Sequence, residues 1–360
     1  MQRFLPRAVV VLLSLIAALG LAEWAVRTFS PQITGEVVFA YHPDLGAIPV
    51  PYQRGRKTSP HGVGYDFSHN SQGFRGNREY GPDKGQAIRI LFVGDSFTYG
   101  VGVDDAQAIP RQVEEILRAR NYTVEIINAG NPGKGTDYAL RLLQVMGPQL
   151  KPDLVALCFF WNDYLDNADG EYFRLGENEE LIPEKPRSLT AKKARIENLP
   201  GINWLLSRSH AANLVRAGIV NLLRPSGRIQ HGKKYNPREV TFNPQLTGIF
   251  LKQVIAAVPG LGSDILFFYL PEEQEVNYYR KSGDTTSYEK SFFNLLKFQK
   301  KGVYSLTKPL SAIPGELEVP YWGHYNPRAT LEVARYISGP NGRVAENAAE
   351  PDRSGKTLIF

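Results

Sequence analysis

The order of apolar segments along the chain predicts an α/β fold with a mainly parallel sheet. Three apolar, β-branched stretches alternate with two amphipathic ones, and strand-then-helix units of this kind form a parallel sheet covered by helices on both faces. The third stretch, 154–160, is apolar throughout, as expected for a strand that is buried on both sides. We therefore expect a three-layer α/β/α sandwich.

Periodicity and turn residues give the limits of the predicted elements. Strands are expected at 87–93, 124–128, 154–160 and 264–270, and helices at 109–120, 136–146, 244–258, 291–300 and 330–337. The alternation stops at about 164–240, which is interpreted as an insertion with an amphipathic segment at 202–223. Residues 30–86 are rich in Pro, Gly, Tyr and His, and they predict a loop-rich lead-in that packs on the main domain. The domain is expected to cover 87–338, with a polar tail at 339–360.

The first 29 residues have the features of an export signal that stays as a membrane anchor. Arg3 and Arg7 precede an apolar run over 8–22 of about 15 residues, against about 20 for a spanning helix, and Trp24 extends the run towards the interface. The basic flank and the lack of a polar face argue against a buried core helix.

The orientation of the anchor follows from its charges. By the positive-inside rule an uncleaved helix leaves the two arginines in the cytoplasm and everything after Arg27 outside it, which is the periplasm in a two-membrane cell. Gly20 and Ala22 also form a possible cleavage site, so a cleaved signal peptide is the alternative.

Charge and cysteine content exclude several classes of protein. The formal net charge is +6, but the basic residues concentrate at the N-terminus and between Lys185 and Lys234, without a nucleic-acid-binding motif. These residues are interpreted as a solvated helix face, with contact to anionic lipid or a polyanionic substrate as the alternative. The single cysteine, Cys158, excludes an internal disulfide and a cysteine-based metal site. No nucleic-acid partner, metal or cofactor is expected.

A candidate nucleophile follows the first predicted strand. The residues Gly94-Asp95-Ser96 begin a turn there, and ligands of open parallel sheets bind beyond the carboxyl ends of the strands. A serine hydroxyl needs a neighbouring base to remove its proton. A Gly-Asp-Ser turn on its own is also an ordinary strand-to-helix connection.

His324 is the candidate base among six histidines. It lies directly before the last predicted helix, where Asn326 can cap that helix and Pro327 can take its first position. The other five lie in the lead-in, in the insertion or beside lysines: His42, His61, His69, His210 and His231.

Two further strand ends supply candidate oxyanion donors, since acyl transfer needs donors at the developing negative charge. The glycine-rich turn 128–135 follows the second strand, and Asn162 follows the third. In isolation Asn162 is as readily a helix or loop cap.

At this point the sequence resembles the SGNH (GDSL-like) hydrolases over about 87–337. Gly-Asp-Ser after the first strand, glycine after the second, Asn-Asp after the third and a late histidine occur in the family's order, and the stretch 70–75 resembles the lead-in of exported, often membrane-anchored members. The resemblance implies a flavodoxin-like fold, with Ser96 as nucleophile, His324 as base, and the Ser96 N–H, the Gly133 N–H and the Asn162 side chain as the oxyanion hole. Asp95 is a supporting residue.

One feature departs from the family. An aspartate usually stands two or three residues before the histidine, and here Trp322 and Tyr321 occupy those positions. A backbone carbonyl, or a carboxylate such as Glu316 or Glu318, is expected to orient the ring instead. The group Glu272, Glu273 and Glu275 is interpreted as a polar loop rather than as a cation site.

The N-terminal segment predicts a membrane tether, and the resemblance implies an ester hydrolase that acts on O-acyl, above all O-acetyl, esters of envelope or secreted glycans, or on another small ester. Two alternatives stay open at the level of sequence. One is an O-acyltransferase that uses the same serine and histidine, and the other is a catalytically silent protein that binds a glycan or a partner.

Overall fold

The computed structural model describes residues 4–35, 39–168, 170, 172–178, 180–186, 188–223, 244–299 and 302–339. Within the insertion, residues 224–240, with Lys234 and His231, lie outside the described part, as do residues 340–360 of the predicted tail.

Thirteen strands are present in the described residues. They are β1 (Phe39–His42), β2 (Gly46–Pro49), β3 (Arg54–Thr58), β4 (Gly64–Ser68), β5 (Ile88–Val93), β6 (Val124–Asn128), β7 (Leu154–Phe159), β8 (Phe173–Leu175), β9 (Leu181–Pro183), β10 (Asp264–Tyr269), β11 (Val303–Ser305), β12 (Glu318–Val319) and β13 (His324–Tyr325). Five of them, in the order β11-β10-β7-β5-β6, form one sheet in which every neighbouring pair is parallel. This is the flavodoxin-like order, and its topological switch point lies between β5 and β7.

Thirteen α-helices are present in the same described residues. They are α1 (Phe4–Phe29), α2 (Ser96–Tyr99), α3 (Ile109–Ala119), α4 (Thr136–Leu150), α5 (Asp163–Asp166), α6 (Ser188–Glu197), α7 (Pro200–Leu206), α8 (His210–Leu223), α9 (Pro244–Ala257), α10 (Glu273–Ser282), α11 (Ser287–Leu295), α12 (Thr307–Ser311) and α13 (Pro327–Ser338).

Helices cover both faces of the sheet, which confirms the predicted three-layer sandwich. Alternate residues of β5 enter opposite cores, Leu91 into one and Phe92 into the other. The first core is closed by α4, α9 and α11, and the second by α3, α10, α12 and α13. Apolar side chains are thus buried from water on both faces of the sheet.

Small antiparallel hairpins carry the lead-in and one edge of the site. The lead-in forms β1–β2 and β3–β4, and β12–β13 holds His324. The buried side chains of Tyr65, Phe67, Tyr99, Val319 and Trp322 pack together, so the lead-in contacts both the nucleophile helix and the histidine hairpin.

Helix α1 is exposed along most of its length and stands out from the domain. It is long and apolar enough to cross a membrane over Arg7–Phe29. Its carboxylate at Glu23 accepts hydrogen bonds from the hydroxyl of Ser209 and the N–H groups of His210 and Ala211, so its last turns are joined to the start of α8.

Three segments differ from the sequence expectations. Residues 273–282 form α10 rather than a polar loop, because the side chains of Glu272 and Glu275 cap its first turn reciprocally. Helix α11 begins at Ser287 instead of 291, because the hydroxyl of Thr286 accepts the Glu289 N–H and caps it there. The last helix begins at Pro327 instead of 330, because Asn326 caps it with two hydrogen bonds, as its sequence position suggested.

Candidate active site

Ser96 begins the short helix α2 directly after the central strand β5. The turn needs glycine at position 94, since a Cβ there would lie 2.6 Å from the carbonyl oxygen of Cys158 and 2.3 Å from Oγ1 of Thr98. Asp95 fixes the turn from the other side, because its Oδ1 accepts the N–H of Phe97 at 2.8 Å. The serine is thereby held at the carboxyl edge of the sheet.

The hairpin β12–β13 places the histidine. Val319 pairs with His324, and the turn between them contains Tyr321 at φ 71° and Gly323 at φ 59°. Both backbone conformations are left-handed, which is costly for tyrosine and free for glycine. The turn bends the chain so that the carbonyl of Trp322 points back at the ring two residues later.

Ser96, His324 and Trp322 form a continuous hydrogen-bonded chain. Nε2 of His324 lies 2.7 Å from Oγ of Ser96, and its Nδ1 lies 2.5 Å from the carbonyl oxygen of Trp322. With Nδ1 donating to the carbonyl, Nε2 presents its lone pair to the hydroxyl. This is the geometry of a serine next to a general base.

The environment keeps the imidazole neutral. Burial lowers the pKa of His324 to about 4, an effect that the Trp322 carbonyl opposes and the ammonium group of Lys57 reinforces. A neutral ring is the form that accepts a proton. Phe97 lies beside the ring, with centroids 4.7 Å apart, and limits its rotation.

The Trp322 carbonyl takes the orienting role that Glu316 or Glu318 was predicted to share, and the Glu318 carboxylate is engaged elsewhere. Oε1 of Glu318 accepts the N–H of Glu273, while the Glu273 carboxylate accepts the N–H groups of Leu317 and Glu318. These reciprocal bonds tie the histidine hairpin to the start of α10. Glu316 contributes its backbone carbonyl, which accepts from Asn326 and Arg328.

A buried carboxyl cluster lies behind Ser96. Burial raises the pKa of Asp95 to about 7, although the Phe97 N–H and the Asn162 side chain stabilise its charged form, and the charge of Asp166 raises it further. Burial and then the neighbouring Asp95 and Asp166 charges raise the pKa of Asp163 well above its ordinary value. Near neutral pH this cluster therefore retains a proton.

Two glycines of the turn 128–135, Gly130 and the predicted oxyanion donor Gly133, differ sharply in their surroundings. The Gly130 N–H donates to Oδ1 of Asn128, and a Cβ at 130 would lie 2.3 Å from the Tyr99 nitrogen. At Gly133, where φ is 72°, a Cβ would have no atom within 4 Å, and the N–H donates to no protein group in the described chain. Gly130 thus packs against α2, and Gly133 is free to donate.

Asn162 lies between β7 and α5, on the same edge as Ser96. Its side chain acts to lower the pKa of the neighbouring Asp95, while its buried Oδ1 has no partner within the described residues. Across the described ranges, no three His, Cys, Asp or Glu side chains are grouped in a way that would hold a metal ion.

Residues 92–245 match the GDSL-like Lipase/Acylhydrolase family. The chain carries a GDSL-like lipase/acylhydrolase domain. The predicted family, and with it the class of ester hydrolases that act through a serine, is confirmed. The matched stretch contains Ser96, Gly133 and Asn162, and His324 lies beyond it.

Several solved structures are similar to the chain at low identity. The psychrotrophic esterase EstA from Pseudoalteromonas sp. is 14% identical, over 70% of this chain and 96% of that one, with a TM-score of 0.38. The lipase/acylhydrolase from Enterococcus faecalis is 15% identical over 70% and 95%, with a TM-score of 0.38. The Clostridium thermocellum family 3 carbohydrate esterase is 12% identical over 72% and 99%, with a TM-score of 0.37. A comparison with curated proteins found no match.

The other histidines take structural positions around the GDSL-like domain. Nδ1 of His42 accepts the N–H groups of Asp44 and Leu45, and Nδ1 of His210 accepts the Gln32 N–H. His69 is buried between the Tyr99 hydroxyl and the Val50 carbonyl. His61 stacks on Tyr321, with ring centroids 3.8 Å apart.

Arg75 of the lead-in supports helix α2, which begins with Ser96, and this role was missed by sequence reasoning. Its buried guanidinium pairs with Asp105 at 2.7 Å and donates to the carbonyls of Tyr99, Gly100 and Val103. The C-terminal end of α2 is therefore held by a residue that precedes the domain. The only indication in the sequence was the motif at 70–75, which includes Arg75 but did not predict what it does.

Lys57 is a second residue that sequence reasoning missed. Its Nζ lies 5.1 Å from the centre of the Trp322 ring, and its charge acts on His324. Burial lowers the pKa of Lys57 to about 8. Strand β3 thus brings a cation close to His324. The sequence does not indicate this contact, because Lys57 and His324 are far apart along the chain.

Proposed function

We propose that the GDSL-like domain hydrolyses O-acyl, above all O-acetyl, esters of envelope or secreted glycans, with Ser96 as nucleophile and His324 as general base. The single observation that carries the catalytic part is the chain Ser96 Oγ–His324 Nε2–Nδ1–Trp322 carbonyl, with separations of 2.7 and 2.5 Å. Neither step below requires a cofactor.

The first half-reaction acylates the serine. Oγ of Ser96 attacks the ester carbonyl carbon while Nε2 of His324 takes the hydroxyl proton. The tetrahedral intermediate then collapses, the bond to the alcohol oxygen breaks, and Nε2 returns its proton to that oxygen as the alcohol leaves.

The second half-reaction restores the enzyme. A water molecule attacks the acyl-serine, gives its proton to Nε2, and the acyl group leaves as a carboxylic acid when Oγ regains the proton. In both halves the oxyanion is stabilised by the N–H groups of Ser96 and Gly133 and the Asn162 amide, each worth about 3 kcal/mol.

Main-chain orientation of His324 favours turnover over a silent fold. The silent alternative is based on the missing acid, whose roles are to fix the tautomer and to stabilise the imidazolium. The Trp322 carbonyl performs the first role. The second is only partly performed by a neutral dipole, so we expect a working but slower catalyst than a full triad gives.

An exposed aromatic surface beside the histidine supports a carbohydrate substrate. Tyr321 is 65% exposed at the tip of the hairpin that carries His324, and it stacks on the His61 ring. Exposed aromatic faces of this kind suit the apolar faces of sugar rings. Tyr321 lies on the hairpin whose His324 contacts Oγ of Ser96, so a glycan on its ring would lie beside the catalytic pair.

The location proposed for the enzyme is the outer face of the cytoplasmic membrane. Helix α1 has the length and hydropathy of an anchor, and Arg3 and Arg7, which flank its apolar run on the N-terminal side, favour a cytoplasmic N-terminus. We place the anchor at 1–29, the lead-in at 30–86 and the catalytic domain at 87–338, on the extracytoplasmic (periplasmic) side.

The experiment compares the full chain in a non-ester detergent with Ser96→Ala and His324→Ala, and with Ser311→Ala as a matched serine control. We expect p-nitrophenyl acetate hydrolysis to fall at least about a thousandfold in the first two and to stay unchanged in the control. Folded parent protein with no turnover above buffer would contradict the proposal. Acetylated glycans and an added glycan acceptor then identify the product, since acetyl transfer to sugar in place of water defines the transferase.

A further inference from the structure

Helix α8 of the insertion exposes an apolar face. Between 214 and 222 the exposed residues whose side chains are described are Leu214, Val215, Ala217, Gly218, Ile219 and Leu222, and none of them is polar. Leu222 is 86% exposed and Val215 62%. The charged residue of this stretch, Arg216, points elsewhere and pairs with Glu197 at 3.2 Å. Exposed apolar side chains grouped on one helix in this way mark a contact.

The position of α8 relative to α1 indicates what makes that contact. Glu23 of α1 binds the first turn of α8 through Ser209 Oγ at 2.8 Å and the N–H of His210 at 3.0 Å. The span Arg7–Phe29 is long and apolar enough to cross a bilayer, and it is not buried against the domain. A helix whose start is fixed beside the last turns of a membrane anchor lies at the membrane surface.

Charge complementarity supports the same occupant. A cleft of about 550 Å³ lies between β3 and the end of α7, and its lining includes Arg54, Arg56 and Arg208. Because Arg56 pairs with Asp66 at 3.0 Å, the positive charge offered to an anion comes mainly from Arg54 and Arg208. The carbonyl of Arg208 accepts a hydrogen bond from Arg27 of α1, so the cleft adjoins the anchor. Trp204, 59% exposed, lies against the Arg208 guanidinium at 5.3 Å, and tryptophan prefers the interface.

We propose that α7 and α8 form a second membrane contact, in which the apolar face of α8 lies in the leaflet beside α1 and the arginine cleft binds phosphate groups of anionic lipids. The inference rests on the proposed location of α1 and is independent of the proposed catalysis. A second contact would fix the orientation of the domain relative to the membrane, because a domain held by one helix can rotate about that helix and a domain held at two places cannot.

The test uses the full chain in nanodiscs of phosphatidylcholine and phosphatidylglycerol. Cys158 is the only cysteine and is buried, so single cysteines can be labelled selectively with an environment-sensitive dye. The test positions are Val215→Cys and Ile219→Cys. The positive control is Leu13→Cys in α1, and the negative control is Tyr278→Cys, which is exposed on α10.

We expect doxyl-labelled lipid to quench the dyes at 13, 215 and 219 and to leave the dye at 278 to aqueous iodide. Iodide quenching at 215 and 219 with lipid quenching at 13 would overturn the proposal, because α8 would then face water. Protection from both quenchers would overturn it in favour of a protein contact, such as a second copy of the chain. Lack of lipid quenching at 13 would also overturn the proposal, because α1, on whose membrane location it rests, would then lie outside the bilayer.

A charge-reversal arm tests the cleft. Arg54→Glu combined with Arg208→Glu removes two cations, each worth about 1 kcal/mol near an anionic surface, which corresponds to about 30-fold in the docking equilibrium. We expect lipid quenching at 219 to fall in anionic nanodiscs and to approach the level measured in phosphatidylcholine alone. Equal quenching by the parent and the double variant would overturn the headgroup assignment. A far-UV circular dichroism spectrum and a thermal unfolding midpoint equal to those of the parent show that the variant is folded.

Discussion

Nδ1 of His324 lies 2.5 Å from the carbonyl oxygen of Trp322, so the main chain holds the ring that a carboxylate holds in a Ser-His-Asp triad. The distinction matters because a carbonyl belongs to the backbone and survives any side-chain substitution. The indole of Trp322 has a separate task. It packs against Tyr65, with centroids 5.5 Å apart, and lies under the Lys57 ammonium.

Substitution of Trp322 separates these two contributions. Trp322→Phe keeps the carbonyl and most of the packing, so kcat/KM should stay within about fivefold of the parent, or about 1 kcal/mol. Trp322→Ala leaves a cavity and should lower the free energy of unfolding by about 3–5 kcal/mol, with loss of activity as the hairpin loosens. Steady-state kinetics and denaturant unfolding give the two readouts. A well-folded Trp322→Phe enzyme that is more than about a hundredfold slower would mean that the indole takes part in catalysis.

The pH dependence should report the lowered pKa of His324. Burial moves this pKa to about 4, and only the neutral ring accepts the serine proton, so activity is present above that pKa and is lost as pH falls through it. The acidic limb of kcat/KM should therefore lie below the ordinary imidazole value of about 6.5 and approach 4. A limb at about 6.5 or above would show an imidazole that is solvated in the free enzyme.

Lys57 should contribute to the low pH of the acidic limb of kcat/KM. Its positive charge lowers the pKa of His324, so Lys57→Met should move the acidic limb to higher pH, whereas Lys57→Arg keeps a cation and should leave it nearly in place. The pH profile of kcat/KM for parent and both variants measures the effect. If the methionine and arginine variants have the same limb as the parent, the ammonium does not act on the imidazole.

The glycines at 130 and 133 form a matched pair. A Cβ at 130 meets the backbone of α2 at 2.3 Å, so Gly130→Ala should disrupt the fold around the nucleophile. At 133 the space is open and only the left-handed φ of 72° is strained, by about 1–2 kcal/mol, so Gly133→Ala should fold. If the Gly133 N–H is an oxyanion donor, its displacement lowers kcat more than it changes KM. A Gly133→Ala enzyme with parental kcat would remove this residue from the oxyanion hole.

The fold, and the residues of the candidate site that follow the ends of strands, could be predicted from the sequence. Ser96, Gly133 and Asn162 each come after a strand of the parallel sheet, and the carboxyl ends of such strands share one edge, so chain order alone brings them to one rim. Asn326 and Pro327 likewise show where the last helix begins. Errors occurred where polar caps replace apolar periodicity, as in α10, whose first turn is held by Glu272 and Glu275.

The groups that orient and tune the site left no such signal. A backbone carbonyl is present at every position, so the amino-acid sequence does not show that the Trp322 carbonyl accepts the hydrogen bond from His324. Lys57 and Arg75 act from the lead-in across large sequence separations, through hairpin packing that periodicity does not encode. Only the three-dimensional approach of β3–β4 to the sheet edge reveals them.

Arg75 provides the last prediction, because its fork-shaped guanidinium cannot be replaced by an ammonium. It pairs with Asp105 and donates to carbonyls at both ends of the turn after α2, including Tyr99 at 2.9 Å and Val103 at 2.7 Å. Arg75→Lys should therefore lower the free energy of unfolding by about 3 kcal/mol and reduce kcat. The matched control is Arg78→Lys, whose side chain is 38% exposed and pairs with Glu114, where a cost of about 1 kcal/mol or less is expected. Urea unfolding of both variants measures the difference, and equal stability would mean that the lead-in does not brace the nucleophile helix.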